Sequence, residues 1–369
     1  MIKQKHYFLG GNTAEGFFSF YNYILPQKIA RRIICIKGGP GTGKSSLMKR
    51  VGNFFSDKGY EIEFHHCSSD NNSIDGMVIK ELNVALLDGT SPHMVDPITP
   101  GAIDEILNMG ECWNENGFKD YRDKILSTKK EISNNFNRAY RFLASAKNVY
   151  EDWLNFNQQA LNLNSVNLLK ENLKNTILDN DISNIGYERH LFATAFTPNG
   201  VISYIQNLIE DFQYVYVLKG GPGCGKTDIL KYLYKEAVRR GLYVEVLHAP
   251  LMPDKLEHIL IPQLSTAIIT SNEINKLTAK GIIFDMNDYL DKNILEKNKD
   301  EIEYVKNIFY ILLNKGLSCI EQAKFIHDKL ESYYIPNMDF EKMNLIGENI
   351  IDKILKYEKD YLQEKNNLK

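Results

Sequence analysis

The feature that most constrains this chain is an internal repeat. The segment IKGGPGTGKSSL begins at Ile36, and LKGGPGCGKTDI begins at Leu218. The two glycine runs lie 182 positions apart (220 minus 38), and the correspondence continues without a gap for about fifty positions. Identical residues pair at this separation: Lys49 with Lys231, Gly59 with Gly241, Glu63 with Glu245, and His66 with His248. The sequence therefore predicts two fused copies of one folding unit.

Each copy shows the same order of local patterns. The β-branched runs RRIICIK and YVYVLK predict a buried strand, and a glycine-rich loop follows each of them. Helices are predicted from Lys44 to Gly59 and from Lys226 to Gly241, since a glycine is favoured just past a helix. A second strand (YEIEFHH, LYVEVLH) and a third (NVALLD, STAIIT) come next.

A short helix is also predicted ahead of the first strand of each copy, over residues 14–25 and 200–211. Alternation of strands and helices favours a parallel sheet. The predicted fold class is α/β, with two tandem domains that each have a parallel sheet with helices on both faces.

Long amphipathic helices are predicted after each copy. Apolar residues recur every three or four positions over residues 119–162 and again over residues 302–330. These helices are expected to form hairpins that pack on the copies they follow or on each other; the alternative is a mobile lid or a partner-docking arm. The predicted domains are residues 1–113, a helical hairpin over 114–180, a second domain over 181–295, and a C-terminal helical region over 296–369.

Both glycine runs match GxxxxGK[ST], the pattern of a phosphate-binding loop (P-loop). Glycines let backbone N–H groups turn toward phosphates, and the following helix presents its positive end. Lys44 and Lys226 are predicted to reach the β- and γ-phosphates of a nucleotide, and Ser45 and Thr227 to offer a hydroxyl to Mg²⁺. The predicted nucleotide-binding residues are Gly38, Gly39, Pro40, Gly41, Thr42, Gly43, Lys44, Ser45 and Ser46, and Gly220, Gly221, Pro222, Gly223, Cys224, Gly225, Lys226, Thr227 and Asp228.

The two copies differ in the acid that a P-loop uses to order its metal. The third strand of the first copy ends in Asp88, a Walker B pattern, so Asp88 joins Ser45 and Thr227 as a predicted Mg²⁺-ordering residue. Its counterpart in the second copy is Thr270. The run GIIFD ends at Asp285, but this residue aligns near Asn108 and is interpreted as a strand-end or cap aspartate.

The catalytic candidates of the first copy are Lys44, Asp88, Asp70 and His93. No Glu follows Asp88, so a general base is sought in the loops after the second and third strands, which also contain His66, Asp75 and Asp96. Each of these residues has an alternative role as a loop former. A zinc site is disfavoured, because the adjacent His65 and His66 should point to opposite faces of a strand.

Composition limits the remaining function classes. The net charge of −3 gives no basic footprint for nucleic acid. The five cysteines form no CxxC pair and fit reduced thiols. No run of about 18 apolar residues or secretory signal is visible, so a cytoplasmic location without a membrane span is expected. No NKxD motif is found, which favours ATP over GTP; homo-oligomerisation stays open.

The strings KGGPGTGKS, HHCSSDNNSIDG and ALLDGTSPH with a following DP, together with KGGPGCGKT, resemble an uncharacterised family of tandem P-loop proteins of Bacillota. Members are described as ATPase-like or nucleotide-kinase-like. The resemblance covers nearly the whole chain. It implies ATP binding and a cytoplasmic bacterial protein, and it supplies no substrate.

Three functions follow as hypotheses. The first is a Mg²⁺-dependent ATPase or ATP-gated switch with an active first site and a degenerate second site. The second is a phosphotransferase acting on a nucleotide or small metabolite, in which Arg138 and Arg141 on one helix face would serve as lid arginines. The third is a nucleotide-sensing adaptor without catalysis.

Overall fold

The computed structural model describes residues 4–90, 94–178, 185–278 and 280–367. The strands of the first copy are β1 (Gln4–Phe8), β2 (Gly10–Thr13), β3 (Gly16–Ser19), β4 (Arg32–Lys37), β5 (Ile62–His66), β6 (Ile74–Ile79), β7 (Val84–Asp88) and β8 (Asp104–Asn108). Those of the second copy are β9 (Tyr187–Leu191), β10 (Thr194–Thr197), β11 (Gly200–Ser203), β12 (Tyr214–Lys219), β13 (Tyr243–His248), β14 (Leu256–Ile261), β15 (Thr266–Ser271) and β16 (Ile282–Asp285). The helices are α1 (Lys44–Asp57), α2 (Arg122–Gln159), α3 (Leu163–Ile177), α4 (Ile205–Ile209), α5 (Lys226–Arg239), α6 (Lys292–Lys297), α7 (Lys299–Tyr334) and α8 (Phe340–Asn367).

The two main sheets confirm the α/β class and the duplication. Six strands in the order β1-β5-β6-β7-β4-β8 form the first sheet, and β9-β13-β14-β15-β12-β16 repeat that order in the second. In both sheets the strand that leads into the P-loop, β4 or β12, has parallel neighbours on each side. Short ribbons, β2-β3 and β10-β11, accompany the sheets.

The prediction of all-parallel sheets is wrong. β6 runs antiparallel to both β5 and β7, and β14 runs antiparallel to β13 and β15. Both strands were missed in the sequence because polar residues, Asp75 and Glu257, interrupt their apolar runs. Only a short loop separates β6 from β5, which permits a reversal but not a parallel crossover.

The short helices predicted ahead of β4 and β12 are also corrected. Residues 14–25 contain β3 and a single 3-10 turn, Tyr21–Tyr23, while residues 200–211 contain β11 and the five-residue α4. Residues 14–25 still pack closely on the sheet, because Ile24 Cδ1 lies 2.8 Å from the position that a Cβ atom on Gly76 of β6 would occupy. Gly76 neighbours Met77, whose side chain belongs to the α1 face, so this segment covers the opposite face.

The chain divides into two compact units, each built from separated segments. Unit 1 comprises residues 1–10, 19–136 and 320–369, and unit 2 comprises residues 11–18 and 137–319. The long amphipathic helices are confirmed as α2 and α7, each of which contributes residues to both units.

The helix that follows each copy belongs to the unit of the other copy. α8 packs on α1 in unit 1, where Ile350, Ile351 and Ile354 join the sheet and α1 in one core. α3 packs on α5 in unit 2 through Val166, Leu169 and Leu173. Two arrangements were expected for the hairpins. The first, packing on the copy that each hairpin follows, is not observed for α3 or α8. The second, packing of the long helices on each other, is observed within unit 2, where Tyr150 of α2 lies against Phe309 of α7.

Candidate functional site: two glycine-rich loops

The first P-loop joins β4 to α1 with the backbone that its glycines permit. Gly41 and Gly43 adopt positive φ angles of 66° and 75°, a region that L side chains rarely enter. Within the described residues, no acceptor pairs with the backbone N–H groups of positions 41 to 46 before helical bonding begins at Leu47. Six successive N–H groups without a partner, at a helix N-terminus, form a nest suited to an anion.

The second P-loop repeats this geometry in unit 2. Gly223 and Gly225 have φ angles of 76° and 84°, and helical bonding resumes at Ile229, whose N–H donates to Gly225 O. The N–H groups of positions 223 to 228 have no acceptor within the described part of the chain. Both loops thus present the same surface of unpaired backbone N–H groups.

Lys44 lies across the first loop beside the strand-end acid. Its Nζ donates to Gly38 O at 3.0 Å and to Gly39 O at 2.8 Å. The same Nζ is 3.5 Å from Asp88 Oδ2, and both side chains are largely buried. Asp88 is fixed in turn, because Thr90 N–H donates to its Oδ1 at 2.8 Å. The structure therefore brings the predicted lysine and acid together.

Ser45, the predicted metal ligand, is held at the same place. Its Oγ accepts a hydrogen bond of 3.0 Å from the N–H of Ile74 at the start of β6. The next residue, Asp75, is buried and accepts from Tyr21 Oη at 3.0 Å. The antiparallel strand that the sequence did not predict therefore carries a second carboxylate to this end of the sheet.

The remaining candidates of the first copy have structural partners. Asp70 caps its own loop by accepting from Ser73 Oγ at 2.9 Å, and it pairs with Lys324 of α7 at 3.4 Å. Asp96 pairs with Lys37 at 2.9 Å on the surface. His93 lies outside the described residues. Asp70 is thus a loop former as well as a neighbour of α7, a contact that the sequence did not indicate.

Two histidine pairs recur in the two units. His6 Nδ1 and His66 Nε2 are 2.9 Å apart, and His66 Nδ1 faces Asn71 O at 3.1 Å. His190 and His248 repeat the pair at 2.7 Å. Burial is the main cause that lowers the pKa of both His66 and His248 to about 4. Because Asn71 O can only accept, His66 Nδ1 donates to it, and His66 Nε2 accepts from His6 Nδ1. The uncharged histidine pair thus holds the loop after β5 in place.

Thr270 occupies the position of Asp88 in unit 2. Thr270 pairs with Leu218 in the sheet as Asp88 pairs with Ile36. Its N–H donates to His258 Nδ1 at 3.0 Å, and its side chain is buried. Lys226 donates to Gly220 O at 2.6 Å and also to Gly221 O. The second lysine is therefore placed like the first without a strand-end carboxylate beside it.

Asp285 behaves as the cap residue that was predicted. It pairs with Lys219 across β12 and β16, as Asn108 pairs with Lys37 across β4 and β8. Its Oδ1 accepts from the N–H of Asn287 at 3.0 Å, the bond of an N-cap. Asp285 thus closes a turn at the edge of the sheet and does not replace Asp88.

Each loop is covered by helices that follow the other copy. In unit 1, a Cβ atom placed on Gly39 would lie 3.1 Å from the Tyr334 side chain, and one placed on Gly41 would lie 3.0 Å from the Ile335 side chain. A Cβ on Gly43 would collide with Met343. In unit 2, Asn157 Nδ2 donates to Pro222 O at 2.6 Å, and Gly223 approaches the Leu154 carbonyl. The glycines thus serve close helix packing as well as loop shape. Arg138 and Arg141, the candidate lid arginines, are exposed on α2.

Comparisons of the chain with protein-family models, with curated proteins and with solved structures found no match. Along the described residues, no helix has the length and apolar character needed to cross a membrane.

Proposed function

We propose that this chain is a Mg²⁺-dependent ATP-binding protein in which the first P-loop hydrolyses ATP and the second holds nucleotide. The observation that carries the proposal is the Lys44–Asp88 pair, 3.5 Å apart, beside a nest of six N–H groups. Fixed donors and a lysine stabilise charge that develops on phosphate oxygens, and a nearby carboxylate orders Mg²⁺. Ser45 would supply the hydroxyl ligand.

The second loop has the same nest and lysine but lacks an acid at the strand end, which supports binding rather than rapid hydrolysis there. The helices over both loops would then respond to nucleotide. Adenine is preferred over guanine because no NKxD motif is found in the sequence.

The test compares matched lysine variants. Lys44→Ala should lower the steady-state rate of ATP hydrolysis by about 10²-fold or more, as loss of a transition-state donor does. Lys226→Ala should leave most of that rate, and Lys235→Ala, on the exposed face of α5, serves as the control.

Loss of hydrolysis in Lys226→Ala with retention in Lys44→Ala would reverse the assignment. Tight ATP retention without turnover in the unmodified protein would favour the adaptor hypothesis. Turnover that begins only when a metabolite is added would favour a phosphotransferase.

A further inference from the structure

Glu273 follows the end of β15, the strand whose last residue is bonded to the second P-loop. β15 ends at Ser271, whose carbonyl accepts from the N–H of Gly220, the first residue of that loop, at 3.1 Å. Glu273 follows two residues later, on the segment that leaves the sheet beside the loop. It is three positions past Thr270, so the alignment of the copies does not place it at the Asp88 position.

The two oxygens of the Glu273 carboxylate differ in their hydrogen bonding. Tyr150 of α2 donates its hydroxyl to Oε1. Oε2 is buried and has no hydrogen-bond partner within the described residues. A buried carboxylate oxygen without a donor is costly unless a cation or a donor completes it.

Lys226 is the positive charge that acts on the Glu273 carboxylate. Burial raises the pKa of Glu273, while Lys226 and the Tyr150 hydrogen bond oppose that rise. Lys226 Nζ donates to Gly220 O and Gly221 O, and within the described residues it forms no ion pair with Glu273; Lys44, with the same two carbonyl partners, also lies 3.5 Å from Asp88. Glu273 and Lys226 therefore both lie beside the second loop, without the close pairing that Asp88 and Lys44 show in unit 1.

Tyr150 belongs to the part of α2 that covers this loop. Its ring packs against Trp153, which lies 3.6 Å from the Cβ position of Gly221. One turn farther along α2, Asn157 donates to Pro222 O. The helix that packs on the loop is thus the one that orients the carboxylate.

We propose that Glu273 supplies the carboxylate of the second nucleotide site, where it orders the divalent cation of a bound nucleoside di- or triphosphate together with the Thr227 hydroxyl, and that Tyr150 positions it. The Thr227 hydroxyl has no hydrogen-bond partner within the described residues, so it is available to a cation. Carboxylate and hydroxyl oxygens are ligands that Mg²⁺ takes beside phosphate. The inference rests on the proposed nucleotide binding by the second loop.

The experiment isolates that loop. Lys44→Ala removes the first site, and Trp113→Phe leaves Trp153 as the only tryptophan, because the chain has two. ADP is titrated into this double variant with and without Mg²⁺, and Trp153 fluorescence is read. Mg²⁺ should improve ADP affinity by about tenfold or more, equivalent to roughly 1.4 kcal/mol. Adding Glu273→Gln should reduce that improvement to within about twofold while Mg²⁺-free affinity is kept or increased.

Controls separate the carboxylate from the fold. Asp285→Asn removes another acid at this end of the sheet, one that caps a turn, and should leave the Mg²⁺ effect intact. Tyr150→Phe keeps the carboxylate and should weaken the effect only in part. If Glu273→Gln does not fold, Glu273→Asp tests the same point, since the shorter side chain should reduce the Mg²⁺ gain.

A full Mg²⁺ gain in Glu273→Gln, or in Glu273→Asp where that variant is used, would overturn the role of Glu273 and leave nucleotide binding by the second loop standing. Failure of the Lys44→Ala/Trp113→Phe protein to bind ADP under either condition, measured also by calorimetry, would overturn both.

Discussion

Asp88 and Thr270 occupy equivalent register positions in two sheets that have the same strand order. The effect of the single carboxylate can therefore be tested by substituting both residues. Asp88→Asn keeps an oxygen that can accept from Thr90 N–H but removes the charge beside Lys44. We expect ATP hydrolysis to fall by about 10²-fold with little change in stability, since metal ordering and charge balance are lost together. Steady-state turnover over a range of Mg²⁺ concentrations measures this.

Thr270→Asn is the matched control, because it places the same side chain at the same register in unit 2. It should leave turnover within about twofold of the unmodified protein. Equal turnover in Asp88→Asn and Thr270→Asn would contradict an active first site.

The histidine pairs predict a pH dependence of stability. The pKa of His66 and of His248 is about 4 in the folded protein, below the ordinary 6.5. As the pH falls, the unfolded chain therefore binds a proton before the folded protein does. The stability contributed by each neutral histidine is fully present above pH 6.5 and is lost between pH 6.5 and pH 4. His6, His65 and Lys49 around His66 add to the lowering, and Asn71 O opposes it.

His66→Gln and His248→Gln should each flatten this loss, by an amount on the order of 1–3 kcal/mol per site between pH 7 and pH 4.5. Urea unfolding at a series of pH values measures it, and the effects should add because the pairs are in separate units. Curves for the variants that run parallel to that of the unmodified protein would rule out this linkage.

The sequence predicted the residues whose chemistry depends on local spacing. Lys44, Ser45 and Asp88 follow from a loop pattern and a strand end, and the structure places them together. Glu273 could not be found in this way, because its partner Tyr150 lies 123 positions away and the segment after β15 has no repeat signal. Contacts made through tertiary packing leave no trace in a local pattern.

At the scale of elements, β4 and β7 and their counterparts were predicted from mostly continuous apolar runs, and β5 and β13 from apolar residues that flank single polar ones. β6 and β14 were missed although every residue of both is buried. Their polar members, Asp75 and Glu257, have partners inside the protein, and a pattern of hydrophobicity cannot distinguish a satisfied buried carboxylate from a loop residue. Without β6 and β14, the strands that were recognised in the sequence indicated an all-parallel sheet.

The packing of α8 on the first loop gives a prediction of stability. Gly43 has φ +75° and its Cβ position meets Met343, whereas Gly59 has φ +92° with nothing within 4 Å. Alanine at either position costs about 1–2 kcal/mol for the left-handed backbone. Gly43→Ala should cost a further 1–3 kcal/mol or so from the collision, and adding Met343→Ala should recover much of that further loss.

Urea unfolding of Gly43→Ala, Gly59→Ala and Gly43→Ala/Met343→Ala measures these differences. Gly223→Ala in unit 2 should resist such rescue, since its Cβ would meet the backbone carbonyl of Leu154. Equal stability of the Gly43→Ala and Gly59→Ala proteins would show that α8 does not pack against the loop.

At the scale of the whole molecule, the order of segments along the chain differs from the order of packing. Unit 1 draws its last segment from residues 320–369, and unit 2 draws a short one from residues 11–18. The predicted boundaries at 113 and 295 follow the order of the chain, and no local pattern in the sequence indicates such an exchange of segments. The amphipathic stripes of α3 and α8 indicate that each helix buries a face, but not which sheet receives it.

The two tryptophans can distinguish the units in one molecule. Trp113 lies 3.1 Å from the Cβ position of Gly39 in unit 1, and Trp153 lies beside Gly221 in unit 2. Trp153→Phe therefore leaves a reporter of the first loop, and Trp113→Phe leaves a reporter of the second. Ile354 in α8 and Leu173 in α3 are buried in the cores of units 1 and 2 respectively.

We expect Ile354→Asp to perturb the first loop, although Ile354 lies more than 300 positions after that loop in the sequence and α8 follows the second copy. A carboxylate buried without a partner costs several kcal/mol, so the unfolding transition and the ATP response read by Trp113 should both weaken. Leu173→Asp should instead weaken the transition and response read by Trp153. Asn349→Asp and Asn172→Asp add the same charge at exposed positions of α8 and α3 and should change neither. If Ile354→Asp weakened only the Trp153 signal, each helix would serve the copy it follows, and the assignment of α8 to the first P-loop would be wrong.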